Sequence, residues 1–188
     1  EGGERDAVRS GEHAARIEEF RKAAVIVAVA DREPADRESP LSLTLAQGVS
    51  RGERMDWVVQ KATELGVTRI VPVLTERRVV KLDAKQAQRK LLHWPAIATG
   101  ACEQSGRDQL PAVAVPLSLA EFLRAVDSGA TRVLLSPAAR LRVADLPPPD
   151  GEVIVLIGPE GGLAQAEQQA AVAAGFAAVR LGPRVLRT

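Results

Sequence analysis

The sequence predicts an α/β fold in which a parallel sheet is covered by helices on both faces. Three observations carry that expectation. Strand-like and helix-like segments alternate along the chain after residue 40, and the strands are apolar runs more often than two-residue alternations. Three of the strands also end in unusual Gly- or Pro-containing loops, LLSPAA, LIGPEGG and RLGPRVLRT. Ligands of parallel sheets bind beyond the carboxyl ends of the strands, where such loops lie.

Residues 13–20 and 23–31 read as two short strands, the second (AAVIVAVAD) rich in β-branched residues. Arg32–Pro40 is charged, carries Pro34 and Pro40, and reads as a linker. LSLTLAQ (41–47) is a strand. Ser50 and Glu53 have capping-box spacing ahead of Met55, Val58, Val59, Ala62 and Leu65 at helical intervals, with Gly66 as the stop. RIVPVL (69–74) is a buried-type strand. Asp83 is placed to cap a long helix reaching about Gln104, which Pro95 should kink or divide. A short strand over Pro111–Pro116 is followed by a second capping box, Ser118 with Glu121, and a helix ending near Gly129. RVLLS (132–136), EVIVLIG (152–158) and AAVRLG (177–182) are three more strands. A helix over Ala164–Ala174, closed by Gly175, joins the last two.

At 188 residues the chain holds one full domain and part of a second. Aromatic residues are 3% of the total and Tyr is absent, which argues against a surface built on base stacking. Cys102 is the sole cysteine, so an internal disulfide is impossible and a reducing cytoplasm is the natural setting. Two histidines and one cysteine are too few for a Cys/His zinc site. No apolar run approaches the roughly 20 residues that cross a bilayer. The chain opens at Glu1 without a Met, so missing or processed residues are expected. The net charge of +1 is unevenly spread. Residues 51–94 carry ten Lys/Arg against five Asp/Glu, a local +5, while the segments on either side are slightly acidic. A basic block in a neutral chain suits contact with a polyanion, although a solvated helix face is the commoner meaning of such charge.

The segment VLIGPEGGLAQAE (155–167) is the most informative. Gly158, Gly161 and Gly162 admit backbone conformations barred to other residues and leave main-chain N–H and C=O groups free for a ligand. There is no G-K-[ST] for a phosphate loop and no G-x-G-x-x-G for a dinucleotide. A neutral adenosine held by main-chain hydrogen bonds fits better. LGPRVLRT repeats the Gly-Pro turn and adds Arg184 and Arg187, whose forked donors suit a phosphate or a base edge. ACEQSGR (101–107) packs carboxylate, amide, hydroxyl and guanidinium around a Gly at a helix end. Such a cluster can read a flipped-out base, or serve as a polar cap.

Taken in order, RGERMDWVVQKATELGV, VPVLTERRVV, EQSGR, LIGPEGG and LGPRVLRT closely resemble the ribosomal RNA small-subunit methyltransferase E family of the SPOUT superfamily. The resemblance covers roughly residues 38–188, and residues 1–37 match only loosely the end of that family's N-terminal PUA-like RNA-binding β-barrel. It implies an α/β domain with a C-terminal trefoil knot, a homodimer with the site near the subunit interface, and S-adenosyl-L-methionine as cofactor. It implies methylation of N3 of a uridine in 16S ribosomal RNA, free or in the small subunit, without metal or membrane. The cofactor would lie among Leu135, Ser136 and Pro137, then Ile157, Gly158, Pro159, Glu160, Gly161 and Gly162, then Leu181, Gly182, Val185, Leu186 and Thr188. Glu103 is the candidate acceptor of the N3 proton, and Arg187 and Arg107 are candidates for holding the base or its phosphate. Arg51, Arg54, Arg77, Arg78, Gln104, Ser105, Arg107 and Arg184 are the candidate RNA contacts. The rest of the basic block (Lys61, Lys81, Lys85, Arg89, Lys90) extends the track. Met55 and Cys102 read as packing residues, and Trp57 and Trp94 as core or dimer packing. Members of the family continue past LRT with Glu-Thr-Ala and a long apolar helix, whereas this sequence ends at Thr188. Three rivals remain: another SPOUT enzyme, acting on a ribose hydroxyl or a transfer-RNA base; a non-catalytic RNA-binding protein that retains the fold; and a nucleotide-binding module that uses the Gly-rich loop for phosphate, against which the absent Walker Lys argues.

Overall fold

The computed structural model describes residues 12–33, 37–77 and 84–182. The β-branched segment at the start forms a hairpin. Strand β1 (Glu12–Arg21) pairs antiparallel with β2 (Ala24–Glu33) across a tight turn at Lys22 and Ala23, with two register irregularities along β1. Ile17, Phe20, Val25, Val27 and Val29 of the hairpin are exposed.

The apolar runs downstream give strands β3 (Leu43–Gly48) and β4 (Arg69–Leu74), joined by helix α1 (Glu53–Glu64). Helix α2 (Ala84–Ser105) leads to β5 (Ala112–Val113) and β6 (Leu117–Ser118), and then to α3 (Leu119–Ala125) and β7 (Thr131–Leu135). A short β8 (Leu141–Arg142) with a 3-10 turn at Val143–Asp145 precedes β9 (Val153–Ile157), α4 (Gln165–Ala173) and β10 (Ala177–Arg180). All pairings among β3 to β10 are parallel, in the order β5-β4-β3-β9-β7-β10-β8, with β6 also on β4. The chain thus builds outward from β3 through β4, returns to lay down β7, and threads β9 into the gap between β3 and β7. That reversal of strand order is where a parallel sheet opens a crevice.

The apolar runs are explained by burial on both faces. Along β4, Val71 and Val73 join a cluster with Leu134, Leu156, Phe122 and Phe176 beneath α3 and α4. Ile70, just before them, points the other way, into Met55, Val59, Trp94 and Ala98 of α1 and α2. The rings of Phe122 and Phe176 pack tilted, with centroids 6.2 Å apart.

Several local expectations hold in detail, and others are corrected. Ser118 and Glu121 form the full reciprocal box: Ser118 Oγ accepts the Glu121 N–H (3.2 Å) and Glu121 Oε2 accepts the Ser118 N–H (2.9 Å). Ser50 and Glu53 do not. The residue at the start of α1 is Gly52, at φ 61° with no side-chain cap, and the Ser50 hydroxyl turns back to the Gly48 carbonyl (3.5 Å). Gly66 (φ 93°) and Gly175 (φ 87°) close α1 and α4 in left-handed conformations that only Gly adopts without strain. Pro95 does not divide α2, which runs through it. Helix α3 ends at Ala125, four residues short of Gly129, and the strand expected over Pro111–Pro116 is only Ala112–Val113. β8 and the 3-10 turn were not legible, and Asp83 lies outside the described residues.

Candidate functional site

At the carboxyl ends of the neighbouring strands β7 and β9 lies a cleft of about 160 Å³. Its wall is made by Leu134–Pro137 on one side and by Ile157–Glu160, Gly162, Leu163 and Gln168 on the other. Of the expected cofactor residues, Leu135, Ser136, Ile157, Gly158, Pro159, Glu160 and Gly162 all line it. Gly161 belongs to the same loop without lining the cleft. Leu181 and Gly182 follow β10 and do not line it either.

The loop between β9 and α4 doubles back tightly, and its glycines are required at two contacts. A Cβ on Gly158 would stand 2.8 Å from the Leu163 nitrogen and 3.0 Å from the Gly162 carbonyl carbon. A Cβ on Gly48, at the end of β3, would stand 2.5 Å from the Pro159 nitrogen. The turn is closed by the Gly162 N–H donating to the Pro159 carbonyl (2.7 Å), and the buried Gln47 side chain donates to the carbonyls of Gly48 (2.9 Å) and Gly158 (3.3 Å). Glu167 caps the start of α4 through the Ala164 N–H (2.9 Å) and holds the segment after β4 through the Glu76 N–H (2.7 Å). Gln47, Gly48, Leu163, Glu167 and Gln168 are functional neighbours that sequence reasoning missed. Only Leu163, Glu167 and Gln168 had a signal, since they follow the Gly-rich loop at a helix start.

Glu160 ties this loop to the approach of α1. Its Oε1 accepts the Arg51 N–H (3.0 Å) and the Arg54 guanidinium (3.1 Å). Burial opposes its ionisation, but the N–H groups of Glu160 itself and of Arg51, together with Arg54, hold the carboxyl below the ordinary carboxylate range. Its second oxygen is buried without a partner. A lowered carboxyl pKa stabilises the fold above the unfolded-state pKa and ceases to do so as pH falls through the folded-state value. The thermal midpoint of Glu160→Gln is therefore expected below that of the parent at neutral pH. The gap should close in acid, below the usual carboxylate range; an equal gap at every pH would mean that the ionised form is not what holds the loop.

Basic residues surround this loop. Arg77 Nη1 donates to the Gly161 carbonyl (3.2 Å), and Arg51, Arg54 and Arg77 are all exposed at the carboxyl edge of the sheet. Arg78, Arg184, Val185, Leu186, Arg187 and Thr188 lie outside the described residues.

The EQSGR segment is elsewhere. Helix α2 returns from the carboxyl end of β4 to the amino edge of the sheet, so Glu103, Gln104 and Ser105 are exposed at the edge opposite the cleft. Six-residue strands span about 20 Å at roughly 3.3 Å per residue, so Glu103 does not reach the cleft of its own protomer. Arg107 corrects its expected role as a holder of base or phosphate. Its side chain is 6% exposed, its Nε and Nη2 grip Glu38 (2.6–3.1 Å), and its Nη1 donates to the carbonyls of Thr63 (2.7 Å) and Val67 (2.9 Å). The Arg107 guanidinium holds the Glu38 carboxyl below its usual range against the effect of burial. Cys102 is buried beside it, and burial pushes its thiol up, as expected for a packing residue. Met55 and Trp94 are core, the indole Nε1 donating to Asp56 Oδ1 (2.9 Å). Trp57 is not a core residue of the single chain, where it is 59% exposed. Among the described residues there is no cluster of metal-ligating side chains and no helix long and apolar enough to cross a membrane.

A family model for an RNA methyltransferase domain matches residues 37–188. The chain is similar to ribosomal RNA small subunit methyltransferase E of Synechocystis sp., 39% identical over 158 residues, covering 80% of this chain and 50% of that protein. Among solved structures it resembles the protein of that same name from Neisseria gonorrhoeae bound to S-adenosyl methionine (39% identity, TM-score 0.89, 96% of this chain and 74% of that one). It also resembles a methyltransferase from Legionella pneumophila in complex with the same cofactor (42% identity, TM-score 0.89, 95% of this chain and 73% of that one). The chain spans 61%, 50% and 63% of the length of three curated relatives it matches.

Proposed function

The chain belongs to the RNA methyltransferase family that includes ribosomal RNA small subunit methyltransferase E, and from that membership we propose that it transfers a methyl group from S-adenosyl-L-methionine to N3 of a uridine in 16S ribosomal RNA. The observation that carries the reading is the cleft at the ends of β7 and β9. Among the described residues its walls are aliphatic side chains and glycine backbone with the polar groups of Ser136 and Gln168, and Glu160 is the one carboxylate or cation that lines it. That chemistry fits an adenosine and a cationic sulfonium better than a phosphate, which would meet Glu160 with like charge. Leu135, Ser136, Ile157, Gly158 and Gly162 are the residues that would hold it, with Gln47 and Gly48 keeping the loop in shape.

The bound cofactor would supply an electrophilic methyl group on sulfur, and alignment of that methyl with the acceptor nitrogen provides much of the acceleration. The residues of the chain then have three tasks. The tightly folded loop fixes the donor. Arg51, Arg54 and Arg77 form a cationic rim that can meet RNA phosphates beside it. A general base takes the proton from uracil N3, and Glu103, the candidate carboxylate, can do so only from a second copy of the chain, because its own cleft lies at the far edge of the sheet. A homodimer is thus part of the proposal, as are a C-terminal trefoil knot, a PUA-like barrel to which the hairpin of residues 12–33 belongs, and a cytoplasmic setting beside the ribosome.

The test is transfer of labelled methyl from the cofactor to 16S ribosomal RNA and to isolated small subunits, followed by nucleoside analysis. Label is expected in 3-methyluridine. Label on a ribose hydroxyl would replace the N3 reading with a 2′-O one, and no label with either substrate would leave a binding role as the better account.

A further inference from the structure

Main-chain groups of the Gly-rich loop were expected to hold an adenosine, and the cleft offers a side chain beside them. Gln168 stands in the first turn of α4 and lines the cleft. Its Nε2 donates to the carbonyl of Leu163 (3.0 Å), at the end of the loop. That bond fixes the polarity of the amide. A carbonyl only accepts, so the nitrogen faces Leu163, and turning the amide over would set two acceptors against each other. Oε1 is left as an acceptor that meets no donor among the described residues.

The two ends of the cleft differ in chemistry. Gln168 is tied to Leu163, which is 5% exposed and packs in the same core cluster as Leu134, another lining residue. Glu160 is tied instead to Arg51 and Arg54, at the exposed approach of α1. A neutral, flat purine gains from apolar walls, whereas a sulfonium and an ammonium group are stabilised near a carboxylate and water. The adenine ring therefore belongs at the Gln168 end, and its N6 amine is the one donor on that ring. We infer that Gln168 is a specificity-determining residue whose Oε1 accepts from adenine N6, held in the accepting orientation by the Leu163 carbonyl. The site then takes a 6-amino purine and rejects a 6-oxo one. The inference rests on the reading that S-adenosyl-L-methionine occupies this cleft.

The experiment titrates the parent and Gln168→Met, by calorimetry, with S-adenosyl-L-homocysteine and with S-inosyl-L-homocysteine. The second ligand carries an oxygen in place of the N6 amine and would set a carbonyl against Oε1. The parent is expected to prefer the adenosyl ligand by about tenfold or more, the cost of leaving acceptors unpaired. In Gln168→Met the two ligands are expected to bind within about threefold of each other. Loss of the Leu163 bond could also loosen the loop, but that would lower both affinities together and leave their ratio unchanged. The ratio thus separates reading of the ring from a merely structural role. An undiminished preference in Gln168→Met overturns the inference and leaves the ring edge to the main chain, and a parent that binds both ligands alike overturns it too. Failure of the cofactor reading has a different signature, a folded parent that binds neither ligand, and it takes the inference with it.

Discussion

Replacing Gly158 with Ala is expected to weaken binding of S-adenosyl-L-methionine and S-adenosyl-L-homocysteine roughly 10- to 100-fold, while Gly161→Ala stays within about twofold of the parent. The two glycines sit three residues apart in the same loop and look equivalent in the sequence. They differ in what a methyl group would meet. At Gly158 it would press on backbone atoms, the Leu163 nitrogen at 2.8 Å and the Gly162 carbonyl carbon at 3.0 Å, neither of which can rotate away. The loop would have to open, and overpacking of this kind costs about 1–3 kcal/mol. At Gly161 the nearest atom is Arg77 Cβ at 3.6 Å, an ordinary contact, and its φ is not in the left-handed range. Calorimetric titration of both variants, with thermal midpoints to show that each is folded, decides the matter. Parent-like binding by a folded Gly158→Ala would remove this cleft as the cofactor site.

The contrast shows what the sequence could and could not convey. Apolar runs, helical spacing and Gly stops are local signals, so the parallel sheet, α1 and α4, and the Ser118–Glu121 box could all be read in advance. The Gly-rich loop after β9 was legible for the same reason, because Gly158, Gly161 and Gly162 directly after a strand are a local signal, one that a plain strand–helix turn shares. Ser50 failed because the S-x-x-E spacing says nothing of the turn before it: Gly52 takes φ 61° and becomes the first capping residue, leaving Ser50 outside the helix. The error over Arg107 was topological. Donors and acceptors at a helix C-terminus suit a base edge, but a crossover helix in a parallel sheet returns to the amino edge, away from the ligand. The partner Glu38 is 69 residues away in sequence, a distance over which charge pairing leaves no pattern. Gln47 and Gly48 escaped notice likewise, since their contacts with Gly158 and Pro159 join two strands far apart along the chain.

The placement of Glu103 leads to the second large effect. A residue on the amino edge can serve a cleft on the carboxyl edge only if another copy brings it there, so each site would combine the loop of one protomer with the α2 terminus of its partner. Glu103→Gln alone removes the proposed proton acceptor from both sites, and Gly158→Ala alone weakens both cofactor loops, so with cofactor held well below the Kd of Gly158→Ala each variant by itself is expected to be nearly inactive. Mixed and allowed to exchange subunits, half of the dimers are heterodimers by chance. In each of these, one site pairs an intact loop with an intact Glu103, and the other carries both defects. Activity should therefore recover to about a quarter of the parent value, as two-fold symmetry requires. A cis arrangement gives no recovery, because every protomer then carries one defect in its own site. The measurement is methyl transfer to 16S ribosomal RNA before and after mixing, with exchange followed by native mass spectrometry. If exchange is complete and activity stays at the level of the separate variants, Glu103 is not shared between copies. The proton acceptor must then be sought among residues at the carboxyl edge.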